Sequence, residues 1–366
     1  MKKVFVVFGT RPEAIKMAPV VKELQKRDGI RTIVCVTAQH RAMLDQVLEV
    51  FHIKPDYDLD IMEPGQTLTT ITTKVLTKLE SILLDEQPDM MLVHGDTTTA
   101  MAASLAAFYQ HIPVGHVEAG LRTYDLYSPF PEEMNRQIID RIAFRLYAPT
   151  DASKSHLEGN LNNEQKILVT GNTAIDALKA TVGGNYTHPV LGWVDDRRMI
   201  LLTTHRRENL GKPMRQIFDA INRVTADFED VCVVYPIHLN PKIQSLAQEI
   251  LSDNAKVKII DPLDVLDFHN FAKRAYLILS DSGGVQEEAP SLNTPVLVLR
   301  ETTERPEGIK AGTLKLVGTE SEKIYRETTH LLNDSASYER MAKARNPYGD
   351  GFASRYIVDD VIEFLK

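Results

Sequence analysis

The sequence has little cysteine, no long apolar run and no excess of basic charge. Its two cysteines, Cys35 and Cys232, lie in apolar runs outside any cysteine–histidine spacing, so we expect buried thiols and no metal site. No stretch approaches the roughly 18 apolar residues of a membrane span, and we expect a cytoplasmic protein with no membrane segment. The net charge of −8 over 366 residues argues against nucleic-acid binding, which needs a basic face.

Two glycine motifs of nucleotide-binding proteins are also missing. Residues 9–16 read GTRPEAIK, which has neither the GxGxxG spacing of a dinucleotide fold nor the GxxxxGK[ST] of a P-loop. A nicotinamide-dependent dehydrogenase is therefore disfavoured. An anionic small molecule remains compatible with the acidic chain, because such a ligand needs only a local cluster of cations.

Apolar β-rich runs alternate with helical patterns along the chain, which predicts parallel sheets with helices on both faces. In the first half we expect strands near residues 4–8, 32–37, 90–94, 113–117 and 167–169. In the second half we expect strands near residues 199–203, 231–235, 256–260, 276–280 and 295–299. The predicted fold class is α/β, with two Rossmann-like doubly wound domains over residues 1–170 and 171–350. A final helix within residues 351–366 packs either on the second domain or away from it.

Two turns that follow apolar strands are candidate phosphate sites, since a helix N-terminus offers unpaired N–H groups and a partial positive charge. The first turn carries Arg11 and Lys16, which face a phosphate or are solvated charges of a surface helix. The second turn, DSGGVQEE from residue 281, has paired glycines that permit close approach of a ligand or tight packing. Its candidate contacts to phosphate and ribose are Ser282, Gly283, Gly284 and Glu288. Two such turns in two halves of one chain predict one ligand held between two domains.

Three acidic residues fall at one predicted edge of the first sheet. Asp96 and Glu118 come directly after two strands, and Glu132 lies in the first turn of a predicted helix. That helix is expected over residues 131–144 from the helical spacing of Met134, Ile138, Ile142 and Leu146. Each carboxylate alone has a structural alternative: a helix cap, a salt bridge or a favourable charge at a helix start. Together they predict a set of general acids and bases.

Basic side chains follow strands of the second half. His205 is followed directly by Arg206, which predicts contact with a polyanion or a carboxylate. The alternative is a surface turn neutralised by a neighbouring glutamate. His238 and Arg305 follow two other strands of this half and are further candidates.

These segments resemble the non-hydrolysing UDP-N-acetylglucosamine 2-epimerases of the bacterial type, over essentially the whole chain. The resemblance rests on GTRPEAIK at residues 9–16, HGDT at 94–97, HVEAGLRT at 116–123, SPFPEE at 128–133, HRREN at 205–209, DSGGVQEEAP at 281–290 and ERPEG at 304–308. Taken together these segments are highly specific, although none is decisive by itself.

The resemblance implies a GT-B-like pair of domains facing across a cleft that holds the active site, with the last helix crossing back to the first domain. It implies an isomerase that interconverts UDP-GlcNAc and UDP-ManNAc by eliminating UDP, which gives 2-acetamidoglucal, and adding UDP back. Such an enzyme supplies ManNAc for cell-surface polysaccharides. The resemblance further implies a homodimer, no metal and no cofactor.

Residue by residue, the resemblance makes Asp96, Glu118 and Glu132 the acid and base groups and places His205 near the pyrophosphate. The resemblance makes Glu288 the ribose contact and Phe268 the uracil contact. The matched positions that contact phosphate or sugar are Arg11, Lys16, Ser282, Gly283, Gly284 and Arg305. Bacterial relatives also bind a second UDP-GlcNAc as an allosteric activator, and the matching positions are Gln39, His40, Gln66, Arg206 and His238. Gly65 is a departure, because some activated members have a basic residue there.

Three other functions stay open from the sequence. A UDP-sugar glycosyltransferase of the same fold would need an acceptor groove but not three carboxylates near C2 of the sugar. A hydrolysing epimerase would release ManNAc and free UDP. A nucleotide-sugar sensor would have no use for bases, so the intact carboxylate set disfavours it.

Overall fold

We describe the protein from a computed structural model, which describes residues 1–37, 41–63, 65–159, 161–162, 164–303 and 305–366. Within these ranges the chain divides into two units. The first comprises Met1–Lys179 and Tyr348–Lys366, and the second comprises Ala180–Pro347. None of the helices in the described ranges has the length and apolar character needed to cross a membrane.

The first unit is built on a parallel sheet of seven strands in the order β3-β2-β1-β4-β5-β6-β7. The strands are β1 (Lys2–Phe8), β2 (Ile30–Val36), β3 (Tyr57–Asp58), β4 (Met90–His94), β5 (Val114–Val117), β6 (Arg145–Ala148) and β7 (Lys166–Val169). Strand β4 is buried throughout and β1 is buried from Val4 onward. Helices cover both faces of the sheet, which is why these strands are continuous apolar runs.

The helices of the first unit connect its parallel strands. They are α1 (Arg11–Gln25), α2 (Arg41–Val50), α3 (Leu68–Glu86), α4 (Thr98–Tyr109), α5 (Glu132–Ile142), α6 (Asp151–Glu158), α7 (Thr173–Thr181) and, after the second unit, α16 (Ala353–Phe364). Helix α16 packs on α1. Its buried Asp360 accepts hydrogen bonds from Tyr147 Oη (3.1 Å) and Lys166 Nζ (2.9 Å).

The second unit repeats this architecture with a parallel sheet of six strands in the order β10-β9-β8-β11-β12-β13. The strands are β8 (Arg198–Thr203), β9 (Val231–Pro236), β10 (Val257–Ile260), β11 (Leu277–Ser280), β12 (Val296–Val298) and β13 (Leu314–Leu316). The helices are α8 (Pro189–Val194), α9 (Lys212–Asp227), α10 (Pro241–Leu251), α11 (Val265–Arg274), α12 (Gly283–Glu288), α13 (Pro306–Ala311), α14 (Ser321–Asn333) and α15 (Ser335–Ala342). Two 3-10 turns, Arg207–Asn209 and Ala289–Leu292, complete the described elements.

The predicted fold class is confirmed, because both sheets are parallel and each strand order reverses beside its first strand, as in doubly wound folds. The sequence patterns missed β3, β6 and β13. The predicted helix over 131–144 was wrong at its end: α5 stops at Ile142, and Leu146 lies in β6. An apolar residue such as Leu146 is equally compatible with a buried strand and with a buried helical turn. The apolar periodicity therefore could not distinguish the two.

The segments that enter and leave the second unit are held together within the first. The first unit continues beyond residue 170 into α7 and resumes at Tyr348. The backbone N–H of Asn172 donates to the carbonyl oxygen of Tyr348 at 2.7 Å. Asp176 of α7 accepts from the backbone N–H groups of Ala353 (3.1 Å) and Ser354 (2.8 Å). These bonds attach the returning chain to α7.

Candidate active site

The turn between β1 and α1 is organised by the buried carboxylate of Glu13. It accepts hydrogen bonds from the backbone N–H groups of Gly9 (3.0 Å) and Thr10 (2.8 Å), and from Thr97 Oγ1 (2.6 Å) in the turn after β4. Burial raises the pKa of Glu13, while these hydrogen bonds act in the opposite direction. A Cβ at Gly9 would lie 2.0 Å from Thr37 Oγ1, so the turn requires glycine. Arg11, the predicted phosphate contact, is exposed at the start of α1.

Asp96 lies in the turn after β4, where α5 holds it from two sides. Arg136 Nη2 donates to its carboxylate at 2.6 Å, and Asn135 Nδ2 donates to its backbone carbonyl at 2.9 Å. Burial raises the pKa of Asp96 above its ordinary value. Arg136 opposes that rise, and the charges of Glu118 and Glu132 add to it. Asp96 thus lies within electrostatic range of the other two predicted acid and base carboxylates.

Glu118 directly follows β5, which pairs with β4, so it lies beside Asp96 at the carboxyl ends of neighbouring strands. Its backbone has a φ of 69°, a conformation that residues other than glycine rarely adopt and that recurs at functional sites. Its Oε1 accepts hydrogen bonds from Lys16 Nζ and, at 3.2 Å, from Asn172 Nδ2. Lys16, predicted as a phosphate contact, therefore pairs with a carboxylate in this structure. The third carboxylate, Glu132, is half-buried at the first position of α5.

His94 is a site residue that the sequence analysis missed as a separate candidate. Its side chain is 5% exposed, and its Nε2 lies 3.5 Å from Glu118 Oε2. Neither ring nitrogen has a hydrogen-bond partner among the described residues. Burial lowers the pKa of His94 to about 3. The ring is therefore neutral beside Glu118 at physiological pH.

In the second unit, the loop after β8 is held by the fully buried carboxylate of Asp281. This carboxylate accepts hydrogen bonds from Thr204 Oγ1 (2.8 Å), from the backbone N–H groups of His205 (3.0 Å) and Arg206 (3.0 Å), and from Asn209 Nδ2 (2.9 Å). His205 Nδ1 lies 3.2 Å from Asp281 Oδ1. Four donors from one loop thus converge on one residue of the DSGG segment and fix where His205 projects.

His205 and the proposed activator residue His238 lie side by side. Their rings stack with centroids 6.1 Å apart and an interplanar angle of 19°. Arg206 is half-buried next to His205 in the chain. The structure therefore brings two of the five predicted activator positions to the loop that carries His205.

The other activator positions belong to the first unit. Gln66 is half-buried before α3, where its Oε1 accepts from the backbone N–H of Glu63 at 3.3 Å. Gly65 has a φ of 71° with open space around a Cβ, so a basic residue would fit there only with backbone strain. Gln39 and His40 lie outside the described residues.

The glycine turn at the start of α12 packs against Arg305, which is a predicted phosphate contact. A Cβ at Gly283 would lie 2.8 Å from Arg305 Cζ, so the absence of a side chain lets the guanidinium approach the start of α12. Arg305 Nε donates to Glu287 Oε1 at 2.8 Å, which orients the guanidinium. Ser282 is the N-cap residue of α12, and its side chain makes no capping hydrogen bond. Gly284 lies at the second position of that helix, with Glu288 Oε1 3.7 Å from a built Cβ.

Glu288, predicted at the ribose, ends α12 beside a buried histidine of α11. His269 Nε2 lies 3.4 Å from Glu288 Oε2, and His269 Nδ1 is hydrogen-bonded to Thr181 Oγ1 at 2.6 Å. Phe268, predicted at the uracil, is half-buried on α11 with its ring 6.3 Å from that of His269. The structure thus groups the predicted ribose and uracil contacts within the second unit.

The sequence contained a signal for one of the residues that we missed. Thr10 and Glu13 have the T-x-x-E spacing of a capping box, which predicts a carboxylate folded back onto the turn. Arg136, His94 and His269 gave no such signal, since their importance comes from partners that are distant in sequence. Among the described residues, no group of three or more His, Cys, Asp or Glu side chains could hold a metal ion.

Known proteins are similar to this chain over nearly its whole length. The family model described as UDP-N-acetylglucosamine 2-epimerase matches residues 22–362. The UDP-N-acetylglucosamine 2-epimerase of Bacillus subtilis (strain 168) is 59% identical over 360 residues, which are 98% of this chain and 95% of that protein.

Solved structures are similar over the same length. A crystal structure of a UDP-N-acetylglucosamine 2-epimerase aligns with a TM-score of 0.93 at 57% identity, covering 100% of this chain and 96% of the other. The UDP-GlcNAc 2-epimerase of Neisseria meningitidis, solved bound to UDP-GlcNAc, aligns with a TM-score of 0.87 at 50% identity, covering 99% and 100%. By sequence over nearly its whole length and by fold, this chain belongs to the UDP-N-acetylglucosamine 2-epimerase family.

Proposed function

We propose that the protein interconverts UDP-GlcNAc and UDP-ManNAc by eliminating UDP to 2-acetamidoglucal and adding it back. The observation that carries this proposal is the convergence of Asp96, Glu118 and Glu132 at one edge of the first sheet. Inversion at C2 removes a proton from one face of the sugar and returns a proton on the other face. That chemistry needs more than one acid or base group near C2.

Two of these carboxylates have different surroundings. Burial raises the pKa of Asp96 although Arg136 opposes the rise, whereas Glu118 is paired with the ammonium group of Lys16. Pairs of groups whose environments drive their protonation apart are typical of acid–base catalysis. This difference supports a proton donor and a proton acceptor in the same site.

We assign UDP binding to the second unit. Arg305 beside Gly283 supplies a cation for the pyrophosphate, and Asp281 holds His205 as a hydrogen-bonding group for it. Glu288 and Phe268 serve the ribose and uracil. Because elimination makes UDP the leaving group, cations fixed in place before the reaction stabilise the charge that develops on it.

Proton NMR in D₂O with UDP-GlcNAc and no added cofactor tests the proposal. We expect UDP-ManNAc to appear with deuterium at C2. The variants Asp96→Asn, Glu118→Gln and Glu132→Gln should each lose about 10²-fold or more of the exchange rate, as expected for removal of a positioned acid or base. Glu80→Gln, an exposed residue of α3, is the matched control and should exchange like the wild type.

Each rival function gives a different NMR result. Free UDP that accumulates with turnover would select the hydrolysing reaction. An unchanged sugar that keeps its C2 proton, with UDP still bound, would overturn the epimerase proposal in favour of a transferase or a sensor. A homodimer, a cytoplasmic location and the absence of metal and cofactor stay predictions. Supply of ManNAc for cell-surface polysaccharide is the proposed role.

A further inference from the structure

Three buried side chains form a cluster next to the turn that carries Asp96. His116 belongs to β5, Asp140 belongs to α5, and Arg122 follows β5. Their side chains are 0%, 5% and 7% exposed, respectively. Asp140 joins the other two, with Oδ1 2.6 Å from His116 Nδ1 and Oδ2 2.6 Å from Arg122 Nη2. We call these three residues the His116 cluster.

The hydrogen-bond partners of His116 determine its charge. Its Nε2 lies 2.7 Å from the carbonyl oxygen of Gly95, which can only accept, so this nitrogen must carry a proton. Its Nδ1 faces Asp140, which the guanidinium of Arg122 holds in the charged, accepting form. Both ring nitrogens therefore face acceptors, and a ring that donates to both is an imidazolium.

The His116 ring holds the peptide on which Asp96 is carried. Gly95 has a φ of 65°, its N–H donates to Val117 O at 2.9 Å, and its carbonyl is bound by His116 Nε2. That carbonyl belongs to the peptide bond that joins Gly95 to Asp96. Asn135 and Arg136 hold Asp96 from the α5 side. The ring thus holds this turn from β5, whereas Asn135 and Arg136 hold it from α5.

The charge of the ring bears on its hydrogen bond to the turn. A hydrogen bond whose donor is charged is roughly twice as strong as one between neutral groups. An imidazolium therefore holds the Gly95 carbonyl more firmly than a neutral ring would.

We infer that His116 is a positioning residue for the epimerisation, held as an imidazolium by Asp140 and Arg122, and that it aligns Asp96 through the Gly95 carbonyl. The inference rests on the proposed function for the reaction. The charge of the ring is independent of that function and can be measured separately.

Neutron diffraction from crystals of the wild-type protein, grown at neutral pH in D₂O, measures the charge directly. We expect deuterium on both Nδ1 and Nε2 of His116. A ring with one bare nitrogen would overturn the imidazolium assignment. This measurement needs neither a substrate nor a variant that folds.

The variant Asp140→Asn separates the charge of the ring from its position. An asparagine amide can donate to Nδ1 of a neutral ring, so Nε2–H still binds Gly95, but as a neutral donor that forms a weaker hydrogen bond. The net charge of the cluster is unchanged, because the variant loses one negative and one positive charge. We expect kcat for C2 exchange to fall about ten-fold, which is a part of the roughly 10²–10⁴-fold that positioned acid–base groups supply. KM and UDP binding should stay at wild-type values, since the second unit is unchanged.

Glu86→Gln is the matched control for a loss of structure. Glu86 is a buried carboxylate of the same unit, paired with Lys3 and Arg31 beside the opposite ends of the strands. We expect this variant to lose thermal stability with unchanged kcat. If Asp140→Asn loses stability as Glu86→Gln does and keeps its kcat, the cluster is only structural and the inference is overturned.

Failure of the proposed function would look different. In that case the wild-type protein itself would show no C2 exchange, and the role of His116 in epimerisation would fall with it. The neutron result would then still decide whether the ring is charged.

Discussion

The carboxylate of Asp281 accepts hydrogen bonds from four donors of the loop after β8, and that loop carries His205. Burial raises the pKa of Asp281, but the hydrogen bonds from His205, Arg206 and Thr204 outweigh it, so the pKa lies below its ordinary value. A carboxylate with a lowered folded-state pKa contributes stability above its unfolded pKa. That stability is lost as the pH falls through the folded value.

Asp281→Asn should therefore destabilise the second unit. An amide replaces one accepting oxygen by a donor that faces other donors, and hydrogen bonds to charged groups are worth roughly 1.5–3 kcal/mol each. We expect a loss of about 3 kcal/mol, and UDP binding at least about ten-fold weaker because His205 is no longer held. Calorimetric unfolding and titration with UDP measure both effects.

The same substitution at Asp264 provides the control. Asp264 is the exposed N-cap residue of α11, a position at which asparagine caps as well as aspartate. Asp264→Asn should unfold and bind UDP like the wild type. An Asp281→Asn protein that behaved like this control would contradict the role given to the Asp281 carboxylate.

His94 gives the first unit a pH dependence in the same direction, which comes from a buried base instead of a hydrogen-bonded acid. Its pKa falls from 6.5 to about 3 through burial, and the charge of Glu118 only partly opposes this. Between these values the unfolded chain binds a proton that the folded chain does not. The free energy of unfolding therefore falls with falling pH, by up to about 1.4 kcal/mol per pH unit from this residue.

Replacing His94 by glutamine should flatten that slope. Urea unfolding at several pH values between about 4 and 7 measures the slope. Over this range burial keeps His94 neutral in the folded state. His52→Gln, at an exposed position of the same unit, is the control and should keep the wild-type slope. Equal slopes for His94→Gln and the wild type would mean that the folded protein protonates His94 readily.

At the scale of elements, α5 has a buried face that is mainly polar. Its buried residues are Glu133, Asn135, Arg136, Ile139 and Asp140. Met134, one of the apolar residues whose spacing predicted the helix, is 47% exposed. The helix faces the turns after β4 and β5 with groups that hold Asp96 and His116. An apolar periodicity therefore predicted the helix but not the side that it buries.

Two substitutions in α5 measure this orientation. Ile139 is fully buried, so Ile139→Ala should cost about 2–5 kcal/mol of the free energy of unfolding. Met134→Ala should cost less than about 0.5 kcal/mol, as at other surface positions. Urea unfolding of both variants gives the comparison. A similar cost at both positions would mean that another chain covers Met134 in solution.

Elements with long apolar runs could be predicted from the sequence, and short ones could not. Strands such as β1, β4 and β8 have four or more consecutive buried residues, and that pattern has few alternatives. Strand β3 has two residues, too few for any periodicity. Asp96 and Glu118 could be predicted because they follow the ends of strands, and Glu132 because it begins a helix. The ring of His116 could not, since its partner Asp140 lies 24 residues away.

At the scale of the whole molecule, the expected activator site predicts cooperative kinetics. We expect the reaction of UDP-ManNAc alone to be slow and to accelerate on addition of a trace of UDP-GlcNAc. Arg206→Ala and His238→Ala should lose that acceleration, because both residues lie beside His205. Initial-rate measurements with and without UDP-GlcNAc test it.

An exposed arginine of α9 supplies the control for these kinetics. Arg215→Ala removes a surface ion pair with Glu249 and should keep the wild-type activation. A hyperbolic reaction of UDP-ManNAc that needs no UDP-GlcNAc would contradict the activator site. Gly65 would then mark a sequence that has lost the second site.

The first unit is interrupted in sequence by the whole of the second, which has a consequence for how the chain is made. During synthesis all seven strands of the first sheet leave the ribosome before Ala180–Pro347, yet α16 follows only afterwards. Until then Tyr147 and Lys166 lack Asp360, and α1 lacks the helix that covers it. The uninterrupted second unit can therefore finish folding first. A ribosome that stops early releases a chain that has the three carboxylates but lacks α16, so its first unit is incomplete. Proteolytic quality control can recognise such an incompletely folded chain.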